Sequence, residues 1–263
     1  MKRIKMGVAA AIVATLAFGN AAQAATPTAT PMFSTTTTGN QQGLATDGHK
    51  VWVSYDVGGG KARIKTYTWK GVYIGQSVAL PLGHAAEIDY RVADNSLYVA
   101  NGGLETQAVG ADTQVYRVTM NSAGIAQKVV KTYDFKWLGH NGLVAVNNSN
   151  DTLVAMGGPD AGPWTLTTHT FGHASRASAL STVTITDPGV LLQGLAVVNG
   201  VTWLYVSEGG VNRVDKFSAC GELLTQTVLP FKGEAEGIAV NPLTGSIYVG
   251  AHSGNRVIRI GGV

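Results

Sequence analysis

Short runs of alternating apolar and polar residues, separated by turn residues, cover most of the chain after residue 40. The clearest example is GEAEGIAVNPLTGSIYVGAHSGNRVIRI, with runs at residues 237–240, 246–251 and 255–260. Alternation with a period of two is typical of half-buried β-strands, and the Asn-Pro and Thr-Gly pairs between the runs are typical of turns. This stretch therefore predicts three antiparallel strands of one β-propeller blade.

The same unit recurs along the chain. Inner strands are predicted to begin at five positions that are 43 to 55 residues apart: Gln42, Ala86, Asn141, Gln193 and Glu236. A repeat of roughly 40–50 residues is typical of four-stranded propeller blades. The first four units each contain runs for all four strands, with the fourth strands predicted at residues 77–82, 128–135, 181–186 and 224–231. The fifth unit lacks a fourth run.

The strand missing from the fifth unit has one candidate. Residues 32–38 form the only strand-like run not assigned to a blade, and an open ring would leave sheet edges exposed between its first and last blades. We therefore predict an all-β fold, a five-bladed β-propeller closed by an N-terminal strand. An open or six-bladed ring is the alternative, and the segment before Met32 also fits a disordered linker.

The beginning of the chain has the pattern of a secretory signal peptide. Basic residues at the start precede an apolar run at residues 6–18 and the sequence Ala-Gln-Ala at residues 22–24. The apolar run is shorter than the ~20 residues that a membrane span needs, so cleavage is predicted rather than a stable span. The predicted organisation is a signal peptide at residues 1–24, a Thr/Pro-rich leader at 25–40 and a propeller domain at 41–263, in a secreted, extracellular protein.

Charge and cysteine content restrict the partners. The formal net charge is +3, and loss of the three basic residues of the signal peptide reduces it to zero. Nucleic-acid binding requires clustered Lys and Arg, so no nucleic-acid partner is expected. Cys220 is the only cysteine, which excludes a disulfide within the chain and leaves pairing between chains open. We expect a monomer.

Polar residues mark one end of the predicted strands. An inner strand begins on the face where the second strand ends, so polar side chains at both positions converge on a funnel around the axis, the default ligand-site hypothesis. The residues at these positions are Gln42, His84, Glu87, His140, Asn141, Gln193, Glu234 and Glu236, together with Asp56, Asn101, Glu208 and His252. Hydrogen bonding to the backbone of a neighbouring blade is the structural alternative for each of them.

Several chemistries fit these residue types. Imidazole and carboxylate groups together suit zinc or a related divalent ion, so a metal in the funnel is one hypothesis, although the chain has no HExxH motif. Glu87 and Asp89 alternate along one strand, as do Glu234 and Glu236, so each pair points to one side and could perform acid–base chemistry. The chain has no GxSxG motif and no phosphate-binding loop.

Four segments resemble the helveticin J-like class of secreted antibacterial propellers: GHAAEIDY (residues 83–90), LGHNGLVAVNNSNDTLVAM (138–156), LLQGLAVV (191–198) and EAEGIAV with GAHSG (234–240, 250–254). Ala86 departs from this class, which tends to have a polar residue there, and EGIAVNPLTGSIYVG is also similar to NHL-type repeats. The resemblance implies a cell-surface target and a funnel formed by His84, Asp89, His140, Gln193, Glu234, Glu236 and His252.

The sequence thus predicts a secreted propeller that recognises an extracellular ligand, a cell-envelope glycan or related surface polymer, without converting it. Polar funnel groups would fix the ligand and neighbouring aromatic side chains would stack on it. Two other functions stay open, namely a helveticin-like bacteriolytic activity and a metal-dependent hydrolase or lyase.

Overall fold

Five antiparallel sheets of four strands each form the ring in the computed structural model, which describes residues 26–36, 39–102, 112–186, 190–252 and 254–263. The signal peptide predicted at residues 1–24 lies outside these ranges. The chain begins with β1 (Thr28–Ser34), and blade 1 follows with β2 (Asn40–Thr46), β3 (Lys50–Asp56), β4 (Ala62–Thr68) and β5 (Tyr73–Gln76). Blade 2 contains β6 (Glu87–Arg91), β7 (Ser96–Ala100), β8 (Gln114–Met120) and β9 (Ala126–Asp134), and blade 3 contains β10 (Leu143–Asn147), β11 (Thr152–Gly157), β12 (Trp164–Thr170) and β13 (Ser181–Ile185). Blade 4 contains β14 (Val190–Val198), β15 (Val201–Glu208), β16 (Val211–Phe217) and β17 (Leu223–Val228), and blade 5 contains β18 (Ala235–Val240), β19 (Ile247–Ala251) and β20 (Arg256–Gly261). The predicted five-bladed propeller is confirmed.

The N-terminal strand closes the ring, as predicted. β1 pairs antiparallel with β20, from Thr28 opposite Gly261 to Ser34 opposite Arg256, so that blade 5 has the order β1-β20-β19-β18. The strand lies four residues earlier than the predicted range of 32–38, which means that residues 28–31 of the Thr/Pro-rich segment before Met32 belong to the sheet. Pro31 is tolerated there because β1 is an edge strand, where a missing N–H need not break a ladder.

One outer strand differs from its predicted position. Blade 1 ends with β5 at Tyr73–Gln76, whereas residues 77–82 were expected to form this strand. Tyr73 packs edge-on against Tyr67 of β4, with ring centroids 5.8 Å apart, and this contact anchors the earlier segment. Of the predicted strand, Ser77 exchanges hydrogen bonds with Ile64 and Leu80 forms an isolated bridge to Ala62.

The hydrophobic core lies between neighbouring blades. Each of five buried clusters combines side chains from two adjacent blades, and together they cover all five interfaces of the ring. Trp52 of blade 1, for example, is 1% exposed and stacks on Tyr90 of blade 2 at 5.1 Å. Packing between blades therefore fixes the inner strands around the axis. No helix in the described part of the chain is long and apolar enough to cross a membrane.

Candidate functional site

A cavity of about 290 Å³ opens on the face of the ring where the inner strands begin. Every blade contributes to the wall an equivalent position in or just before its inner strand: Gln42, Ala86, Asn141, Gln193 and Glu236. Of the residues predicted to form the funnel, those lining this cavity are Gln42, His84, Asn141, Gln193, Glu234, Glu236 and His252. The structure thus brings these side chains together, while ligand binding by them stays a prediction.

Six predicted funnel residues do not line the cavity. Asn101 is buried and its Oδ1 accepts the backbone N–H of Gln114 at 2.8 Å, and Asp56 lies behind His84. Glu208 is half exposed and forms an ion pair with the buried Arg213. His140 is beside the rim, with its Nδ1 3.9 Å from the Asp112 carboxylate. Glu87 is fully buried, and Asp89 lines a second cavity on the opposite face. The two acids alternate along β6, which runs from one face towards the other, so they occupy different depths of the axis.

Glu87 joins four blades at the centre of the ring. Its Oε1 accepts hydrogen bonds from the backbone N–H groups of Leu44 (3.1 Å) and Ile88 (2.9 Å). Its Oε2 accepts from the N–H groups of Leu195 and Ile238, both at 3.1 Å. Burial raises the pKa of Glu87 well above its usual range, and the four N–H donors oppose this effect by stabilising the carboxylate. Glu87 is therefore a structural acceptor, the alternative considered for each funnel residue.

The backbone around Glu87 explains why glycine follows the wall residue in four blades, at Gly43, Gly142, Gly194 and Gly237. The ladders of blades 1, 4 and 5 shift register between Gln41 and Leu44, between Leu192 and Gly194, and between Glu236 and Ile238. Such bulges release an N–H from the strand ladder, and here the released groups point at Glu87. A Cβ on Gly194 would lie 2.6 Å from the Glu87 Oε2. In blade 2, Glu87 itself occupies the position that the other blades give to glycine.

Glu236 is the most buried acid of the cavity wall. Its side chain is 5% exposed, and Gln42 Nε2 lies 3.5 Å from its Oε1. Burial raises the pKa of Glu236 well above its usual range, and the nearby carboxylates of Glu234 and Glu87 raise it further. The Glu236 carboxyl therefore favours the protonated form, in which it can donate a hydrogen bond into the cavity.

His84 lies in the segment that connects blade 1 to blade 2, and its imidazole is held by the carboxylate of Asp56. The His84 Nδ1 is 2.7 Å from the Asp56 Oδ2. Asp56 Oδ1 accepts the backbone N–H of Gly58 at 2.7 Å, so the carboxylate is itself fixed by the turn that follows β3. Because a carboxylate only accepts hydrogen bonds, His84 donates through Nδ1, and Nε2 is the ring nitrogen left for a ligand.

Blade 3 supplies an acidic side chain that the sequence analysis missed, Asp160. Asp160 and Trp164 line the cavity, and Asn141 Nδ2 donates to Asp160 Oδ1 at 2.8 Å and to the carbonyl of Gly158 at 3.2 Å. Asp56 and Glu208 are the last residues of the second strands of their blades, whereas Asp160 lies three positions after Gly157, the last residue of the second strand of blade 3. A search of the loop after each second strand, rather than of its last residue, would have found it.

The wall of the cavity contains acidic side chains. Its acidic lining residues are Asp160, Glu234 and Glu236, and the described lining contains no Lys or Arg. The metal hypothesis finds no preformed site, since no group of three His, Cys, Asp or Glu residues within the ranges given above is arranged to hold an ion. Acidic side chains in the wall disfavour anionic ligands.

The second cavity, also about 290 Å³, opens where the inner strands end. Asp89 is the titratable group of its described lining, and its carboxylate accepts the N–H groups of Val146 and Tyr90, both at 2.7 Å. Burial raises the pKa of Asp89 to about 7, against the effect of these two bonds. Asp89 thus links blade 2 to blade 3 as Glu87 links blade 2 to the other three blades.

The chain matches no protein-family model and no curated protein. Among solved structures it is similar to glutaminyl cyclase from Myxococcus xanthus, with 16% identity, a TM-score of 0.61 and coverage of 91% of this chain and 98% of that one. A tail fibre of Staphylococcus aureus phage P68 is similar at 16% identity and a TM-score of 0.60 over 90% of this chain, which spans 52% of the fibre chain. A luciferin-regenerating enzyme has 13% identity and a TM-score of 0.53 over 89% of this chain and 95% of that chain. Similarities at these identities support the fold alone.

Proposed function

We propose that the protein is secreted and that its funnel cavity binds a neutral or cationic saccharide unit of a cell-envelope glycan. The observation that carries the proposal is the ring of equivalent wall positions, where the amides of Gln42, Asn141 and Gln193 and the carboxyl of Glu236 face one enclosed space. The amides of Gln42 and Gln193 can both donate and accept hydrogen bonds, as sugar hydroxyls do, and Asn141 can accept through Oδ1 because its Nδ2 already donates to Gly158 and Asp160. A polyhydroxylated ligand therefore finds a partner on every side of the cavity except at Ala86.

The volume of the cavity and the charge of its lining restrict the class of saccharide that fits. A volume of about 290 Å³ is at the lower end of small-molecule sites, which span roughly 300–1,000 Å³. The cavity thus suits one sugar residue at a chain end or branch rather than a long polymer segment. Its negative lining disfavours uronic acids and phosphorylated sugars, and it favours neutral sugars or those that carry an amine.

The aromatic contribution is smaller than the sequence suggested. Trp164 is the aromatic residue of the described lining and is 1% exposed, so it forms part of the wall and offers little free surface for stacking. Its indole is held from behind by the turn at Gly158, where an added Cβ would lie 2.9 Å from the ring. Hydrogen bonding therefore provides most of the recognition in this proposal.

A glycan array followed by calorimetry on the best hit tests the proposal. Loss of a hydrogen bond to a polar ligand costs on the order of 1–3 kcal/mol, so Gln193→Ala and Glu236→Ala are expected to weaken binding by about 10- to 100-fold. Glu222→Ala is the matched control, because Glu222 is exposed in a turn before the outer strand of blade 4. Equal affinity of all four proteins would place the ligand outside the funnel and refute the proposal.

A further inference from the structure

The pair formed by Asp56 and His84 has the geometry of a fixed general base. Asp56 accepts from the Gly58 N–H through one oxygen and from His84 Nδ1 through the other, both at 2.7 Å. This arrangement fixes the tautomer of the imidazole and leaves the lone pair of Nε2 free to accept a proton. His84 belongs to the cavity wall, so a ligand bound there is within its reach. Recognition alone does not require a carboxylate behind the imidazole.

An acid lies in the same wall. Glu236 is 5% exposed, and burial together with the neighbouring carboxylates keeps its pKa above the usual range of a glutamate. A protonated carboxyl in an apolar setting can donate a hydrogen bond to a developing oxyanion, as an ionised one cannot. The cavity thus combines an imidazole whose Nε2 has no protein partner in the described structure with a buried carboxyl whose raised pKa favours the protonated form.

The lining also restricts the reaction class. The described lining contains no Ser, Thr, Cys or Lys, so no side chain there is suited to form an acyl-enzyme or a Schiff base. Attack by water, activated by His84, is the step that these groups can support.

We infer that the funnel hydrolyses a carboxylic ester of a neutral sugar, such as an O-acyl group, with His84 as the general base, Asp56 as its positioning residue and Glu236 as the hydrogen-bond donor to the oxyanion. The inference rests on the proposed saccharide site and adds turnover to it. His84 Nε2 takes a proton from water as the water oxygen bonds to the acyl carbon. The carbonyl oxygen becomes an oxyanion that accepts the Glu236 O–H.

The second half of the reaction returns the proton. The bond between the acyl carbon and the sugar oxygen breaks, and the leaving alkoxide takes the proton from His84 Nε2. The products are the free sugar hydroxyl and a carboxylic acid, which ionises in solvent. Water supplies every atom that the products gain, and neither an oxidant nor a covalent enzyme intermediate is needed.

The inference is tested by measuring acetate release from mono-O-acetyl glucose and mono-O-acetyl N-acetylglucosamine. The purified protein is treated with EDTA first. His84→Gln is expected to lower kcat by about 100- to 10,000-fold, the usual contribution of a general base. Asp56→Asn should lower kcat by about 100-fold with KM unchanged, because the amide would donate to Nδ1 and place the proton on Nε2. His49→Gln is the control, since His49 is exposed in a turn and does not line the cavity.

Binding of the two parent sugars to the same proteins separates the two proposals. Turnover by wild-type protein and His49→Gln, lost in His84→Gln with sugar binding retained, supports the inference. Sugar binding without acetate release above the level of His84→Gln overturns it and leaves the binding function intact. An unchanged kcat in Asp56→Asn overturns the role given to Asp56. Acetate release without any dependence on His84 places the reaction elsewhere and equally overturns the inference.

Discussion

Replacing Glu87 with Gln tests whether the ring is held together at its axis. The carboxylate accepts four backbone N–H groups, two at each oxygen, from β2, β6, β14 and β18. Glutamine has nearly the same shape but only one carbonyl oxygen, so its NH₂ group would face two N–H donors. Whichever way the amide is turned, two buried N–H groups lose their acceptor.

The expected cost follows from these two orphaned donors. A buried donor without a partner costs about 1–3 kcal/mol, which gives about 2–6 kcal/mol for the pair. Removing the buried carboxyl recovers part of its desolvation penalty, so the lower part of that range, about 2–3 kcal/mol, is expected. Glu87→Ala would orphan all four N–H groups and leave a cavity, and the glutamine variant is preferred because it is more apt to fold.

Urea unfolding followed by tryptophan fluorescence measures this cost. The Glu87→Gln protein should unfold at a lower urea midpoint with an unchanged m-value, since the surface exposed on unfolding stays the same. Glu222→Gln, at an exposed turn, should stay within about 0.5 kcal/mol of the wild type. A Glu87→Gln protein as stable as this control would refute the view that the four bonds hold the ring.

Two further predictions concern the same axis. Gly194→Ala should destabilise the protein by at least about 1–3 kcal/mol in the same urea assay, because its Cβ would lie 2.6 Å from Glu87 Oε2. The control Gly172→Ala has open space around its Cβ and should be neutral or slightly stabilising, so equal effects of the two substitutions would contradict the close approach at Gly194. Asp89 has a folded-state pKa of about 7, above its unfolded value near 3.9, so folding favours its protonated form. The free energy of unfolding should therefore fall by up to about 4 kcal/mol as the pH rises from about 4 to about 7. Asp89→Asn should lack this part of the pH dependence, and an identical pH profile for both proteins would show that Asp89 is not the group responsible.

The fold could be predicted because it depends on patterns that repeat. Alternation of apolar residues reports which side of a strand is buried, and the period between units reports the blade. The closing role of β1 followed from counting strands, since a ring with one strand missing has one place for it. The outer strands were located less well, as at Tyr73–Gln76, because an exposed edge strand carries little apolar alternation.

The cavity residues were predictable in part for the same reason. Gln42, Asn141, Gln193 and Glu236 occupy one equivalent position per blade, so recognising the repeat identified them together. Glu87 was assigned to the ligand site because it lies at the start of an inner strand. The sequence did contain a signal for its actual role, since blade 2 has Glu87 where the other blades have glycine, but only the three bulges show why its neighbours need that space.

The cavity and the closure of the ring depend on the same seam. Gln42 of the first blade approaches Glu236 of the last one across this seam, at 3.5 Å. The adjacent Gln41 side chain accepts from Thr35 Oγ1 at 2.9 Å and donates to the carbonyl of Arg256 at 3.2 Å. The segment that follows β1 therefore holds together the two blades that supply Gln42 and Glu236. A ligand that bridges these two side chains would stabilise the closed ring as well as occupy it, because binding to the folded state alone shifts the unfolding equilibrium.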